Sequence, residues 1–389
     1  MGSSPLATLL LLLVGTLVAR ITAHRLRRWA VPAIVLELLV GVGLGNTVLP
    51  YSQVEPLAGL MGLGVLTLFF QVGLSVSDDL RGSRPAAVLR TVLLSALTPL
   101  LAWWPLQRGF GLSTATTVVC LAVLSATGTG VTLRALAQAG ALSTPSGRLL
   151  VGVSVLDDLP AIGLLTLAMA LGQPPAAAGG LAEGAMGLGT GLTLVLLSLA
   201  ASRWWRRRHG PWQPGPLGVL LVLIGCSWVG EATGLTSLMG ALWGGVVMGR
   251  LAPMAAHNPG AQGLHSQLAL LSEVFLPLYF IGVGLRIEGA SLLRPDAWWL
   301  ALVLTLLAVA AKALCGLGIR ASDQAAGVDR WVVVWGLIPR GLPGLVFAST
   351  ALSGGLISQD QFAALVLMVS TTTVVGLLLL GKRLASLSR

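Results

Sequence analysis

The chain has 389 residues, of which 55% are hydrophobic and only 10% charged, with a mean hydropathy of +0.88. Soluble domains carry about 25% charged residues, so this composition excludes an ordinary soluble protein and points to a polytopic membrane protein. The net charge of +10 does not signal nucleic acid: the basic residues sit in short loops between apolar runs, where they report topology.

Length and hydropathy predict about thirteen membrane spans. They lie at roughly 6–23, 31–49, 57–76, 85–103, 114–137, 147–171, 183–201, 217–231, 236–252, 267–285, 296–319, 331–352 and 361–381. The first 19 residues hold no Lys or Arg, so the first span reads as a retained helix, not a cleaved signal. The eighth span is the shortest.

Loop charge alternates along the chain. The first loop holds His24, Arg25, Arg27 and Arg28, the third Arg81 and Arg84, and the fifth Arg134 and Arg148. The seventh holds Arg203, Arg206, Arg207 and Arg208. The ninth begins at Arg250, the eleventh has Arg320 and Arg330, and the tail has Lys382, Arg383 and Arg389. The intervening loops hold only Arg108, Arg286 and Arg294. Basic residues stay on the cytoplasmic side, so the N-terminus is expected outside and the C-terminus in the cytoplasm.

A faint repeat links the two halves. ELLVGVGLG in span two (37–45) matches ALWGGVVMG in span nine (241–249), and LTLFFQVGLSV in span three matches LPLYFIGVGLRI in span ten. Both offsets are seven spans, an odd number, so the repeats would insert with opposite orientation. Inverted repeats around a midplane site are a common plan for secondary transporters.

Four places along the chain can carry chemistry. In span five, LSATGTGVTL (124–133) interrupts an apolar run with glycines and hydroxyls. A break there would expose carbonyls and the hydroxyls of Thr127 and Thr129 to a cation. In span six, Asp157 and Asp158 lie near the middle of GRLLVGVSVLDDLPAIGLLTLAMAL. Each carboxylate at a bilayer centre costs roughly 2.5–3.5 kcal/mol, and an intramembrane acid is by default part of an ion or proton pathway. In span eleven, Lys312 is a lone ammonium that needs a partner, with Asp157 or Asp158 as the natural one. In span twelve, WGLIPRGLPGLVFAST (335–350) should be discontinuous at Pro339, Gly341, Pro343 and Gly344, with Arg340 neutralising carbonyl ends or holding an acid.

Other polar residues read as structural. Glu37 and Glu273 are expected to pair with Arg340 or Arg90, or to lie near an interface. The histidines fall in loops. Cys120, Cys226 and Cys315 lie in apolar runs without metal-ligand spacing, so free thiols are expected. Two other classes compete with ion exchange. A channel or anion symporter would want a positive site, which the aspartates oppose. An enzyme would need a nucleophile or metal constellation, and none is apparent.

These residues carry a family resemblance. VPAIVLELLVGVGLG, LGVLTLFFQVGLSV, SATGTGVTLRALAQAGALSTPSGRLLVGVSVLDDL, PLYFIGVGLRI, the lysine of span eleven and IPRGLPGLVFAS, in that order, resemble the monovalent cation:proton antiporter-2 family. The likeness is greatest to its NapA-type sodium/proton antiporters. It implies an all-α polytopic fold of about thirteen transmembrane helices, NhaA/NapA-like, with inverted repeats and two discontinuous helices crossing at the midplane. It implies one membrane domain over 1–389: core spans at about 85–171 and 296–381, dimer or scaffold spans at about 6–76 and 217–285, and a linker helix at about 183–201. By motif position, Asp158 is the expected cation and proton site, Asp157 the partner of Lys312, and Thr127 part of the unwound stretch. Exchange of Na+, or Li+, for protons is implied, with K+/H+ exchange as the alternative within the family. No cofactor is expected beyond the transported ions. The expected partners are lipid and a second copy of the chain, in a bacterial plasma membrane or another energised membrane such as a thylakoid. Two departures stand out: Leu342 occupies a position where many relatives have glutamate, and Gly128 one where serine is frequent.

Overall fold

The structure is a computed structural model. It describes residues 5–26, 32–75, 85–172, 180–210, 212, 215–233, 236–252 and 259–387, without the side chains of 75, 129–130, 134, 138, 154–155, 180–188, 192 and 259–267. Arg27, Arg28, Arg81, Arg84, His257 and Arg389 therefore lie outside the described residues, as do the side chains of Thr129, Arg134 and His265.

Helices are the only regular secondary structure among the described residues. In chain order the helices are α1 (Pro5–Arg25), α2 (Ala33–Gly45), α3 (Ala58–Ser75), α4 (Pro85–Leu97), α5 (Thr114–Ser125), α6 (Thr129–Gln138), α7 (Pro145–Leu171), α8 (Gly180–His209) and α9 (Pro216–Ala232). There follow α10 (Ser237–Leu251), α11 (Pro259–Leu285), α12 (Gly289–Leu292), α13 (Pro295–Cys315), α14 (Ala321–Gln324), α15 (Arg330–Leu337), α16 (Gly341–Ser353) and α17 (Gln359–Leu387). Each expected span meets one helix or a broken pair. Among the described residues, eight helical stretches are long and apolar enough to cross a membrane, and Ala33–Gly45, Thr114–Ser125 and Pro216–Ala232 are shorter apolar helices.

Several boundaries differ from the sequence reading. The fourth span is α-helical only to Leu97 and then tightens into a 3-10 turn over Thr98–Ala102, because Pro99 can donate no backbone hydrogen bond. α8 runs on to His209, so Arg206, Arg207 and Arg208 lie in its last turn and not in a loop. There they meet the negative end of the helix dipole. Lys382 and Arg383 likewise belong to α17.

The chain divides into two compact units. The first comprises Met1–Pro56, Arg81–Gly172 and Phe280–Arg389; the second comprises Leu57–Leu80 and Gln173–Tyr279. In the first, α4, α6, α7, α13, α15 and α17 contribute to a core that includes Val88, Leu149, Leu150, Val153, Val332, Val333 and Leu337, and α5 packs on α7 and α16. In the second, α10 packs between α3 and α9.

The repeat has a packing counterpart in each unit. In the first, α2 lies backbone to backbone on the end of α11: a Cβ on Gly41 would overlap the carbonyl of Ile281, and one on Gly284 that of Leu38. In the second, α10 lies on α3 in the same way: a Cβ on Gly245 would overlap the carbonyl of Phe70, and one on Gly73 that of Leu242. In all four cases the obstructing carbonyl belongs to the residue three before the facing glycine. Gly41 and Gly245 occupy matching places in the repeat, as do Gly284 and Gly73. Two copies of one unit have thus paired crosswise, each supplying half of each helix pair.

Candidate functional site

The site lies where two helices stop and restart. α5 begins at Ser113, whose hydroxyl accepts the Thr116 N–H at 3.1 Å, and ends at Ser125. Ala126 is extended (φ −54°, ψ 149°), and α6 resumes at Thr129. α15 is capped by Asp329, which accepts the Val332 N–H at 2.8 Å, and ends at Leu337. α16 resumes at Gly341, whose φ of +44° is the left-handed region that glycine tolerates. The two breaks touch: Gly128 N donates to Pro339 O at 2.5 Å. A Cβ on Gly128 would stand 3.0 Å from both Gly341 N and Pro339 O, so the glycine permits the crossing. Thr132 Oγ1 donates to Gly336 O at 2.9 Å and ties α6 to α15.

Broken helices leave backbone carbonyls that lipid cannot satisfy. Arg340, fully buried, answers part of this need. Its Nη1 donates to Ala126 O at 2.9 Å and its Nη2 to Ala308 O at 3.0 Å. The guanidinium therefore serves carbonyls, and neither Glu37 nor Glu273 is its partner. Arg90, the other arginine expected to meet those acids, instead pairs with Asp323 at 2.7 Å.

α7 carries the two aspartates into the crossing, one turn from Pro160. Lys312 Nζ on α13 lies 2.5 Å from Asp157 Oδ2, and both side chains have no exposure. The ammonium also reaches Ser125 O at 2.9 Å, Thr127 Oγ1 at 3.0 Å and the Ser95 hydroxyl. Thr127 Oγ1 donates to Asp157 Oδ2. Asp158 is as deeply buried but forms no ion pair with a described residue; its Oδ1 receives only the Thr127 N–H at 3.5 Å. The structure thus brings together Asp157, Asp158, Thr127, Lys312, Pro339 and Arg340. For Thr129 it describes only the backbone, at the first position of α6.

Sequence reasoning missed Ser95 and Ser125, which border the ammonium. It also gave Arg286 no more than a loop position. That arginine lies over the Tyr51 ring, 4.2 Å from its centre, and bonds the Ser349 hydroxyl at 3.2 Å and Ser353 Oγ at 2.5 Å. It thereby ties the end of α11 to α16.

An all-helical membrane bundle with buried acids and a lysine at crossed helix breaks defines an ion-coupled secondary transporter. The chain belongs to the family described as "Sodium/hydrogen exchanger, transmembrane", whose profile matches residues 9–381. It is accordingly an antiporter of monovalent cations and protons, and not an enzyme. It is 26% identical over 365 residues to the Na(+)/H(+)-K(+) antiporter GerN of Bacillus cereus, covering 88% of each chain. It is 24% identical to an Na(+)/H(+) antiporter of Enterococcus hirae, covering 96% of each. Among solved structures it resembles the sodium proton antiporter MjNhaP1 of Methanocaldococcus jannaschii, with a TM-score of 0.69, 16% identity and 99% coverage of both chains. That last likeness bears on the fold.

Proposed function

We propose that the exchanged cation is Na+, with Li+ as a competing substrate, and that Asp158 carries cation and proton in turn. The observation behind this reading is the asymmetry of the aspartate pair. Asp157 is held by Lys312 and Thr127, while Asp158 is buried without a cationic partner among the described residues. An ionised Asp158 binds a small hard cation through oxygen ligands, as such cations prefer. Protonation removes the charge and releases the ion. Moving the site across lipid with neither bound would carry bare charge, at a cost of about 2.5–3.5 kcal/mol on insertion scales. That cost suppresses the uncoupled step.

Cation binding that loosens the Lys312 ammonium from Asp157 lets that ammonium give up a second proton and become a neutral amine, so two protons exchange for one cation and exchange is electrogenic. Spans at about 85–171 and 296–381 form the moving core, and a second copy packs on the scaffold spans at about 6–76 and 217–285. The arginine-poor loops face outward, and the C-terminus faces the cytoplasm of a bacterial or similarly energised membrane.

Reconstitution in proteoliposomes tests this. Asp158→Asn should abolish cation-dependent proton flux, and retained flux would remove Asp158 from the mechanism. Asp157→Asn should lose voltage dependence; exchange as voltage-sensitive as wild type would refute the second proton. Na+, Li+ and K+ compared side by side decide between sodium and potassium exchange. The name of GerN, which includes both ions, makes that comparison necessary.

A further inference from the structure

Helical hydroxyls in this chain are commonly satisfied by their own helix. Thr67, Thr91, Thr117, Thr166 and Ser227 each donate to the carbonyl four residues back, at 2.6–3.0 Å. This is the ordinary fate of a Ser or Thr in an apolar helix. Ser125 departs from it. Its side chain is fully buried, it closes the last turn of α5, and its Oγ has no hydrogen-bond partner among the described residues. A buried hydroxyl left unmatched costs about 1–3 kcal/mol, so its position calls for a ligand. One other oxygen at the crossing is equally unmatched, Asp157 Oδ1. Both residues touch the same ammonium, Ser125 through its carbonyl at 2.9 Å and Asp157 through Oδ2 at 2.5 Å. Their remaining oxygens are the ones that Lys312 leaves over.

We propose that Ser125 Oγ and Asp157 Oδ1 complete the oxygen shell of the cation held by Asp158, and that the Ser125 hydroxyl sets cation preference. This rests on the antiport reading above and adds a coordinating residue to it. The division of labour follows from charge. Asp158 supplies a full negative charge to any cation, whereas a hydroxyl supplies a neutral oxygen fixed by the helix end. A fixed neutral ligand contributes most to the small cations, which surrender the most tightly held water. Arg340 Nε is also unmatched, but a donor offers nothing to a cation.

Ser125→Ala should raise the half-saturation concentrations for Li+ and Na+ about fivefold, the value of one lost polar contact. K+ should change less. Because the hydroxyl bonds no described residue, the variant should melt no lower than wild type without added cation. It should gain less thermal stability from added Na+, since stabilisation by a ligand follows its affinity. Ser125→Thr restores the hydroxyl and should restore the cation order. Unchanged half-saturation and unchanged order in Ser125→Ala would overturn the proposal, as would equal loss of rate for all three cations. A wild-type protein with no cation-dependent proton flux would instead sink the antiport reading itself.

Discussion

Lys312 has three N–H groups and four oxygens within reach: Asp157, Thr127, the Ser125 carbonyl and Ser95. Such a cage is affordable in a membrane interior only while its charges balance. Removing one partner of a buried ion pair typically costs about 3–5 kcal/mol, whereas removing both can be nearly neutral. Asp157→Ala or Lys312→Met alone should therefore lower the melting temperature in detergent far more than the double variant, and a double variant no better than the worse single would contradict the pairing. At this scale the sequence was legible only in part. Two adjacent carboxylates and a lysine inside apolar runs cannot be explained by packing, so they announce themselves. A serine in an apolar helix announces nothing, because the next turn of its own helix normally satisfies it. Ser95 and Ser125 thus became visible only through what surrounds them. Leu342, standing where many relatives have an acid, raised the question of what Arg340 holds. The structure answers with backbone carbonyls, which carry no sequence signal.

Among the elements, the repeat in the sequence paired span two with span nine and span three with span ten. It did not say which helix lies on which. The glycines do: Gly41 meets Gly284, and Gly245 meets Gly73, with backbones too close for any Cβ. Gly43, on the same helix as Gly41, has open space around the position of a Cβ. The contrast gives a sharp expectation. Gly41→Ala and Gly245→Ala should each destabilise by about 1–3 kcal/mol through overpacking. Gly43→Ala should be neutral or slightly stabilising, because alanine favours a helix by about 1 kcal/mol over glycine. Thermal melts of the three variants check this, and equal losses at Gly41 and Gly43 would show that helix propensity, not packing, governs. The breaks in spans five and twelve were readable from glycine, proline and hydroxyl clusters. The 3-10 turn after Leu97 was not anticipated, although Pro99 marks it in hindsight.

At the scale of the whole molecule, the alternation of basic loops and the length of the apolar runs set the expected number and direction of spans. They said nothing of how helix ends are fastened together. One fastening joins three helices of the first unit. The Asp329 N–H donates to Ser146 Oγ on α7 at 2.8 Å, and the carboxylate caps α15. The same carboxylate accepts Arg383 Nη2 of α17 at 2.6 Å. Burial pushes the Asp329 carboxyl up, but the hydrogen bonds from Arg383 and the Val332 N–H, together with the Arg383 charge, outweigh it and hold the group below its ordinary range. A carboxyl depressed in the folded state adds stability above its unfolded value, near 4, and loses it as pH falls through the folded value. The clasp is therefore fully charged across the whole neutral range. Asp329→Asn should lower the melting temperature by the same amount at every pH from about 6 to 9, and the gap to wild type should close only as the pH falls below about 4. The pH profile of ion exchange between about pH 6 and 9 should keep its shape in this variant, because the depressed Asp329 carboxyl does not titrate there. A profile displaced along the pH axis by Asp329→Asn would mean that the clasp communicates with the buried aspartates, and that the two ends of α7 do not behave independently.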